Sequence, residues 1–78
     1  MKLKCYDISY GFGTNFGNFY FIDLNTGKIY YWYTSSDKAY KLIDVDTIIE
    51  VTSYKLGEIW HYDGEEFNTL KNVRFKVA

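Results

Sequence analysis

Residues 18–34 read NFYFIDLNTGKIYYWYT. Two runs rich in β-branched and aromatic residues flank LNTGKI, where Asn25 and Gly27 suit a tight turn with one left-handed residue. The stretch is therefore predicted to be a β-hairpin. Both of its faces are apolar. Phe19 and Phe21 fall on one side of the first strand, and Tyr20, Ile22 and Leu24 on the other. The return strand sets Tyr30 and Trp32 against Ile29, Tyr31 and Tyr33. Strands apolar on both faces are normally covered on both sides. A chain of 78 residues seldom has the mass to cover a sheet twice. Either the sheet closes into a small barrel with a long loop packed outside, or one aromatic face is available for binding.

Before the hairpin, KLKCYDIS (residues 2–9) alternates but changes phase. Leu3 and Cys5 share one face, Tyr6 and Ile8 the other, and a β-bulge near Cys5–Tyr6 reconciles them. YGFGTNFGN, residues 10–18, holds three Gly and two Asn and reads as a loop with positive-φ positions. Phe12 and Phe16 lie within it. Such a loop folds back onto the core or presents its rings to a partner.

After the hairpin, SSDKAYKLIDVD (residues 35–46) admits two readings. Ser36 can cap a short helix through Ile43, or Tyr40–Ile43 is a short strand; we favour a turn followed by a strand. TIIEVTSYK (47–55) is predicted as a strand with Ile49 and Val51 inward and Glu50 and Thr52 outward. EIWHY (58–62) reads as another. Asp63-Gly64 is either a two-residue hairpin turn or the start of a short helix over 64–71, with Asp63 and Glu66 forming a capping box and Phe67 and Leu70 on one face. NVRFKV closes the chain, with Val73, Phe75 and Val77 inward. The expected fold is a mostly β, single-domain antiparallel barrel or sandwich over residues 1–78, SH3-like or OB-like, of about six short strands with one short helix near 64–71. FYFIDLNTGKIYYW, residues 19–32, resembles one repeat hairpin of a quinoprotein-type β-propeller. It occurs once and a propeller needs several blades, so the likeness is one of hairpin chemistry.

Composition explains how so short a chain can hold together. One cysteine, Cys5, precludes an intrachain disulfide. The 17 aromatics (nine Tyr, six Phe, two Trp) can each bury roughly 150–250 Å². Tyr joins an apolar ring to a polar tip, so nine together imply some surface excess. The net charge of −1, with Arg74 the one Arg, does not predict a phosphate-binding surface. The lone Cys suits a reducing compartment. No segment has signal-peptide or membrane-span character, and a cytoplasmic protein without membrane attachment is expected. Phe, Tyr, Met, Ile, Asn and Lys far outnumber Gly, Ala, Arg and Pro, a bias of AT-rich genomes such as a low-GC bacterium or its phage.

Catalytic chemistry has few candidates. Cys5 and His61 lie in different predicted strands, and a Cys–His pair needs those strands to be neighbours in register. One Cys and one His do not make a conventional zinc site. Asp44, Asp46, Asp63, Glu65 and Glu66 lack EF-hand spacing. GFGTNFG has no following Lys and opens no helix, so it is not a phosphate loop. No enzyme, cofactor or metal is expected.

The expected function is a non-catalytic protein-binding module, in its narrower form a phage- or mobile-element-encoded inhibitor that occludes a host protein. Its expected contacts are Phe19, Phe21, Tyr30, Trp32 and Trp60, since interface cores favour Tyr, Trp and Phe. Homodimerisation through the hairpin belongs to the same class. The alternative is a single-stranded nucleic-acid-binding small barrel that stacks bases on those rings beside Lys28, Lys38 and Lys41. The near-neutral charge disfavours it. Sugar stacking on Trp32 or Trp60 is a third, weaker reading.

Overall fold

The hairpin is the centre of the fold. In the computed structural model, which describes residues 1–11, 13 and 15–78, β1 (Lys2–Tyr10), β2 (Gly17–Asp23), β3 (Ile29–Thr34), β4 (Ile48–Tyr62) and β5 (Glu65–Val77) close into one barrel in the order β1-β2-β3-β5-β4. All pairings are antiparallel except β3 with β5, which is parallel. A helix, α1 (Asp37–Leu42), bridges β3 and β4. This Greek-key order with a helix after the third strand is the OB-like alternative. Among the described residues there are five strands, not six, because residues predicted as two strands form one: β4 runs unbroken through Lys55-Leu56-Gly57.

β2 and β3 meet as expected, with Phe19 opposite Trp32 and Phe21 opposite Tyr30. The buried Asp23 carboxylate organises the turn, its Oδ1 accepting from the Asn25 and Thr26 backbone N–H groups at 2.8 and 3.3 Å. Gly27 is the left-handed residue, at φ 75°. The phase change in β1 is a bulge between Cys5 and Asp7. It turns Leu3, Cys5 and then Ile8 towards the core and leaves Tyr6 outside.

The structure decides two open readings, the first of them against the one favoured from sequence. Residues 37–42 are helical rather than a turn and strand. The Ser36 side chain accepts the Ala39 N–H at 3.3 Å, and Ala39 and Ile43, one helical turn apart, are both fully buried. Cap and apolar spacing agree on a helix, and together they outweigh β-branched content over so few residues. Conversely, 64–71 is strand and not helix. Asp63 and Gly64 adopt φ 51° and 79°, the paired positive angles of a tight hairpin turn. β5 then pairs with both β3 and β4, which offers its backbone more partners than one helical turn could.

Register shifts at three points let the long β4–β5 ribbon coil. At one of them Asn72, at φ 51°, takes a left-handed position in β5. The core comprises Leu3, Cys5, Phe19, Phe21, Tyr30, Trp32, Ala39, Ile43, Ile49, Val51, Leu70 and Phe75. Val73 packs against it in part, whereas Val77, expected inside, is exposed as the last residue of β5, at the end of the barrel. Phe12 lies outside the described residues; Phe16 stacks on Tyr33 with ring centroids 4.7 Å apart.

Candidate functional site

The two faces of the hairpin have opposite fates. Phe19, Phe21, Tyr30 and Trp32 point into the barrel and are at most 9% exposed. Barrel closure covers them, with Phe75 edge-on against Trp32 and Phe19 tilted on the same ring. These four expected contact residues are therefore core residues and offer a partner no surface. Trp60, the fifth, is 58% exposed on β4.

The complementary face is the one left open. Tyr20 on β2 lies opposite Tyr31 on β3, Tyr31 lies beside Thr69 on β5, and Phe67 on β5 lies opposite Trp60 on β4. All these positions share the outer side of the sheet, because residues two apart in a strand share a face. Tyr20, Tyr31, Trp60, Tyr62 and Phe67 line a groove of about 280 Å³. Its rings are mutually packed: Tyr20 to Tyr31 at 5.2 Å, and Tyr20 edge-on to Phe67 at 6.1 Å. The Tyr31 hydroxyl donates to Asn18 Oδ1, which fixes that ring.

The two ends of the groove differ in charge. At one end Tyr6 packs on Tyr20, centroids 6.2 Å apart, beside Asp7, Asp63 and Glu65. At the other are Tyr33, Glu58, Thr69 and Lys71, with Thr69 Oγ1 buried and without a hydrogen-bond partner among the described residues. Four anionic side chains and one cationic side chain thus line the groove and its ends. The ion pairs among the described residues, Met1–Glu50 and Lys4–Asp46, involve none of these carboxylates. Burial, and next the nearby Glu65, pushes the Tyr6 phenol up. Burial, followed by Tyr20 and Tyr33, does the same for Tyr31. Both hydroxyls are hydrogen-bond donors at neutral pH.

The backbone adds a further feature. Among the described residues β1 pairs with β4 only over Ile48–Glu50, and from Ser53 to Tyr62 β4 is paired along one edge alone, with β5. That open edge borders the groove. Leu56, Ile59, Trp60 and Tyr62 stand along it, each more than half exposed.

The residues expected to supply other chemistry are apart from this face. Cys5 is buried against Phe21, while His61 stands exposed opposite Glu66, on a part of β4 that β1 does not reach. The nucleic-acid reading drew on Lys28, Lys38 and Lys41. None lines the groove, and Lys38 is committed to the Phe75 carbonyl and ring. Among the described residues no helix is long and apolar enough to cross a membrane.

Sequence reasoning missed Tyr20, Tyr31, Tyr62 and Phe67. The signal was the kind of aromatic. On the hairpin every ring of the outward set (Tyr20, Tyr31, Tyr33) carries a hydroxyl, whereas of the inward set (Phe19, Phe21, Tyr30, Trp32) Tyr30 alone does. Comparison with known proteins found no matching family model, no similar curated protein and no similar solved structure.

Proposed function

We propose that this chain is a non-catalytic protein-binding module whose binding surface is the outer aromatic groove of β2, β3, β5 and β4. The observation that carries this reading is the open β4 edge beside exposed Trp60 and Tyr62. An unpaired edge offers a row of N–H and C=O groups that an extended polypeptide can pair with. Exposed Trp and Tyr beside it supply the rigid anchors that dominate protein interfaces. A narrower form, an inhibitor from a phage or mobile element that occludes a host protein, fits the small size and AT-rich composition.

The aromatic platform also favours a second reading. OB-like barrels stack bases on this side of the sheet. The four-to-one excess of anionic over cationic side chains around the groove argues against it, because phosphate contacts supply most of such affinity.

The test is affinity capture with the whole chain and its Trp60→Ala variant. Wild type should retain one stoichiometric protein, and Trp60→Ala should lose it while keeping its fold. Undiminished capture by Trp60→Ala would remove the groove from consideration. A shift of labelled oligothymidine at ~50 mM salt would favour the nucleic-acid reading instead.

A further inference from the structure

The groove is asymmetric, and its asymmetry selects an occupant. At the β1 end four rings, Tyr6, Tyr20, Tyr62 and Phe67, surround a space of about 340 Å³ together with Asp7, Asp63 and Glu65. No lysine or arginine pairs with these carboxylates among the described residues. The Asp7 carboxylate accepts the N–H of Ile8 at 2.9 Å, and Asp63 occupies a left-handed position of the β4–β5 turn. Aromatic faces attract a cation through their quadrupole, best within about 6 Å and when water is excluded. Carboxylates beside those faces add Coulomb attraction for the same charge. The open β4 edge begins at this end with Tyr62. An added strand would send alternate side chains to the groove side of the sheet.

We infer that the groove receives an extended, cation-bearing segment of a partner protein, which pairs with the β4 edge and lodges an Arg or Lys side chain among Tyr6, Tyr20, Tyr62 and Phe67 beside Asp63 and Glu65. This rests on the protein-binding reading above and adds the chemistry of the partner. Arg is the better fit, because its flat guanidinium can stack on a ring and still present N–H donors to a carboxylate lying in the guanidinium's own plane. Burial and Glu65 act together to raise the Tyr6 phenol, which agrees with a negative local field. An acidic segment would meet repulsion here, and a nucleic-acid strand would bring its phosphates to the same carboxylates.

The experiment titrates the whole chain with a short capped peptide alternating Thr and Arg. The readouts are Trp60 fluorescence and backbone amide shifts. A matched Thr–Glu peptide and oligothymidine serve as competitors in kind. Trp32 is buried, so a fluorescence change reports mainly on Trp60. The Thr–Arg peptide should shift Tyr6, Tyr20, Trp60, Tyr62 and Phe67, and binding should weaken as salt rises. Asp63→Asn with Glu65→Gln should weaken it about tenfold or more. Both changes are close in shape, and Asn tolerates the left-handed backbone at position 63, so the fold is kept. The inference fails if the Thr–Arg peptide does not bind, if the Thr–Glu peptide or oligothymidine binds the same residues as well, or if the double variant binds unchanged. Failure here alongside capture that depends on Trp60 would overturn the cationic occupant and leave the protein-binding reading standing. Capture indifferent to Trp60 would overturn both.

Discussion

β4 contains two stretches that both carry large apolar side chains and end in opposite environments. In Ile48–Val51, Ile49 and Val51 are buried. In Ser53–Tyr62, Tyr54, Leu56, Ile59, Trp60 and Tyr62 are all exposed. The first stretch has β1 on one side and β5 on the other; the second has β5 alone. What covers a strand decides its burial, more than what the strand is made of. The first stretch belongs to a sealed barrel whose side chains are there for stability. The second belongs to an arm whose apolar side chains face water, and it is these exposed aromatic groups along one groove that the proposed binding role rests on.

The sharpest way to break this comparison is to remove matched large side chains from the two regions. Phe21 is fully buried, and Phe21→Ala should cost about 3–5 kcal/mol. In a domain this small each kcal/mol is worth about 4–8 °C of Tm, so urea or thermal unfolding should show a chain close to its folding limit. If Phe21→Ala is mild, the barrel is not the stable unit described above.

A second test uses alkali. Burial pushes the Cys5 thiol from 9.0 up to about 11. A raised pKa means that the folded state holds its proton longer than the unfolded chain does. The stabilisation is therefore full below about pH 9 and is lost as pH rises towards about 11. Two pKa units set an upper scale of about 2–3 kcal/mol. The raised phenols of Tyr6, Tyr10, Tyr30 and Tyr31 act in the same direction at higher pH. Unfolding free energies measured from pH 8 to pH 11 should fall, and Cys5→Ala should make the first part of that fall shallower. Iodoacetamide should label Cys5 only as fast as the barrel opens.

Two glycines give the same comparison at finer scale. A Cβ on Gly17 would lie 2.7 Å from Phe19 Cε2 and 3.1 Å from Tyr10 Cε1. Phe19 is held in the core, so Gly17→Ala should cost about 1–3 kcal/mol through overpacking. A Cβ on Gly57 would lie 2.8 Å from Lys71 Cε, near the free end of an exposed, flexible side chain that can swing away. Gly57→Ala should therefore be within about 0.5 kcal/mol of wild type. Equal costs would show the arm to be as tightly packed as the barrel.

These contrasts also show what could be read from the sequence. The hairpin, the β1 bulge, the inward Ile49 and Val51 and the barrel class follow from alternation and turn chemistry, which are local. The helix at 37–42 was a near tie, because Ser36 supplies a cap while Tyr40 and Ile43 suit a strand; the tie is broken by Ala39 and Ile43 meeting the core, which is not local. The length of β4 exceeds the two strands predicted over 47–55 and 58–62, because the Gly57 between them lies at a register shift within one strand. The proposed groove was half legible. The hairpin contributes Tyr20 and Tyr31 to it, but choosing the open face of the hairpin requires knowing which side the barrel closes around. The partnership of Tyr20 and Tyr31 with Trp60, Tyr62 and Phe67 depends on the parallel pairing of β3 with β5, between strands more than thirty residues apart.

The small effect expected of the exposed rings is the most informative about function. Trp60→Ala and Tyr62→Ala each remove a large ring from the arm, yet the rings are 58% and 76% exposed, and each change should cost under about 1 kcal/mol in urea unfolding. The same substitution of an aromatic residue would then cost several times less in the arm than Phe21→Ala costs in the barrel. A stability loss near that of Phe21→Ala would mean that Trp60 holds the arm against Phe67 and that the groove is structural packing. A small loss combined with lost partner capture would separate the two roles, because a ring that contributes little to folding and much to binding can act only through what it touches outside the chain.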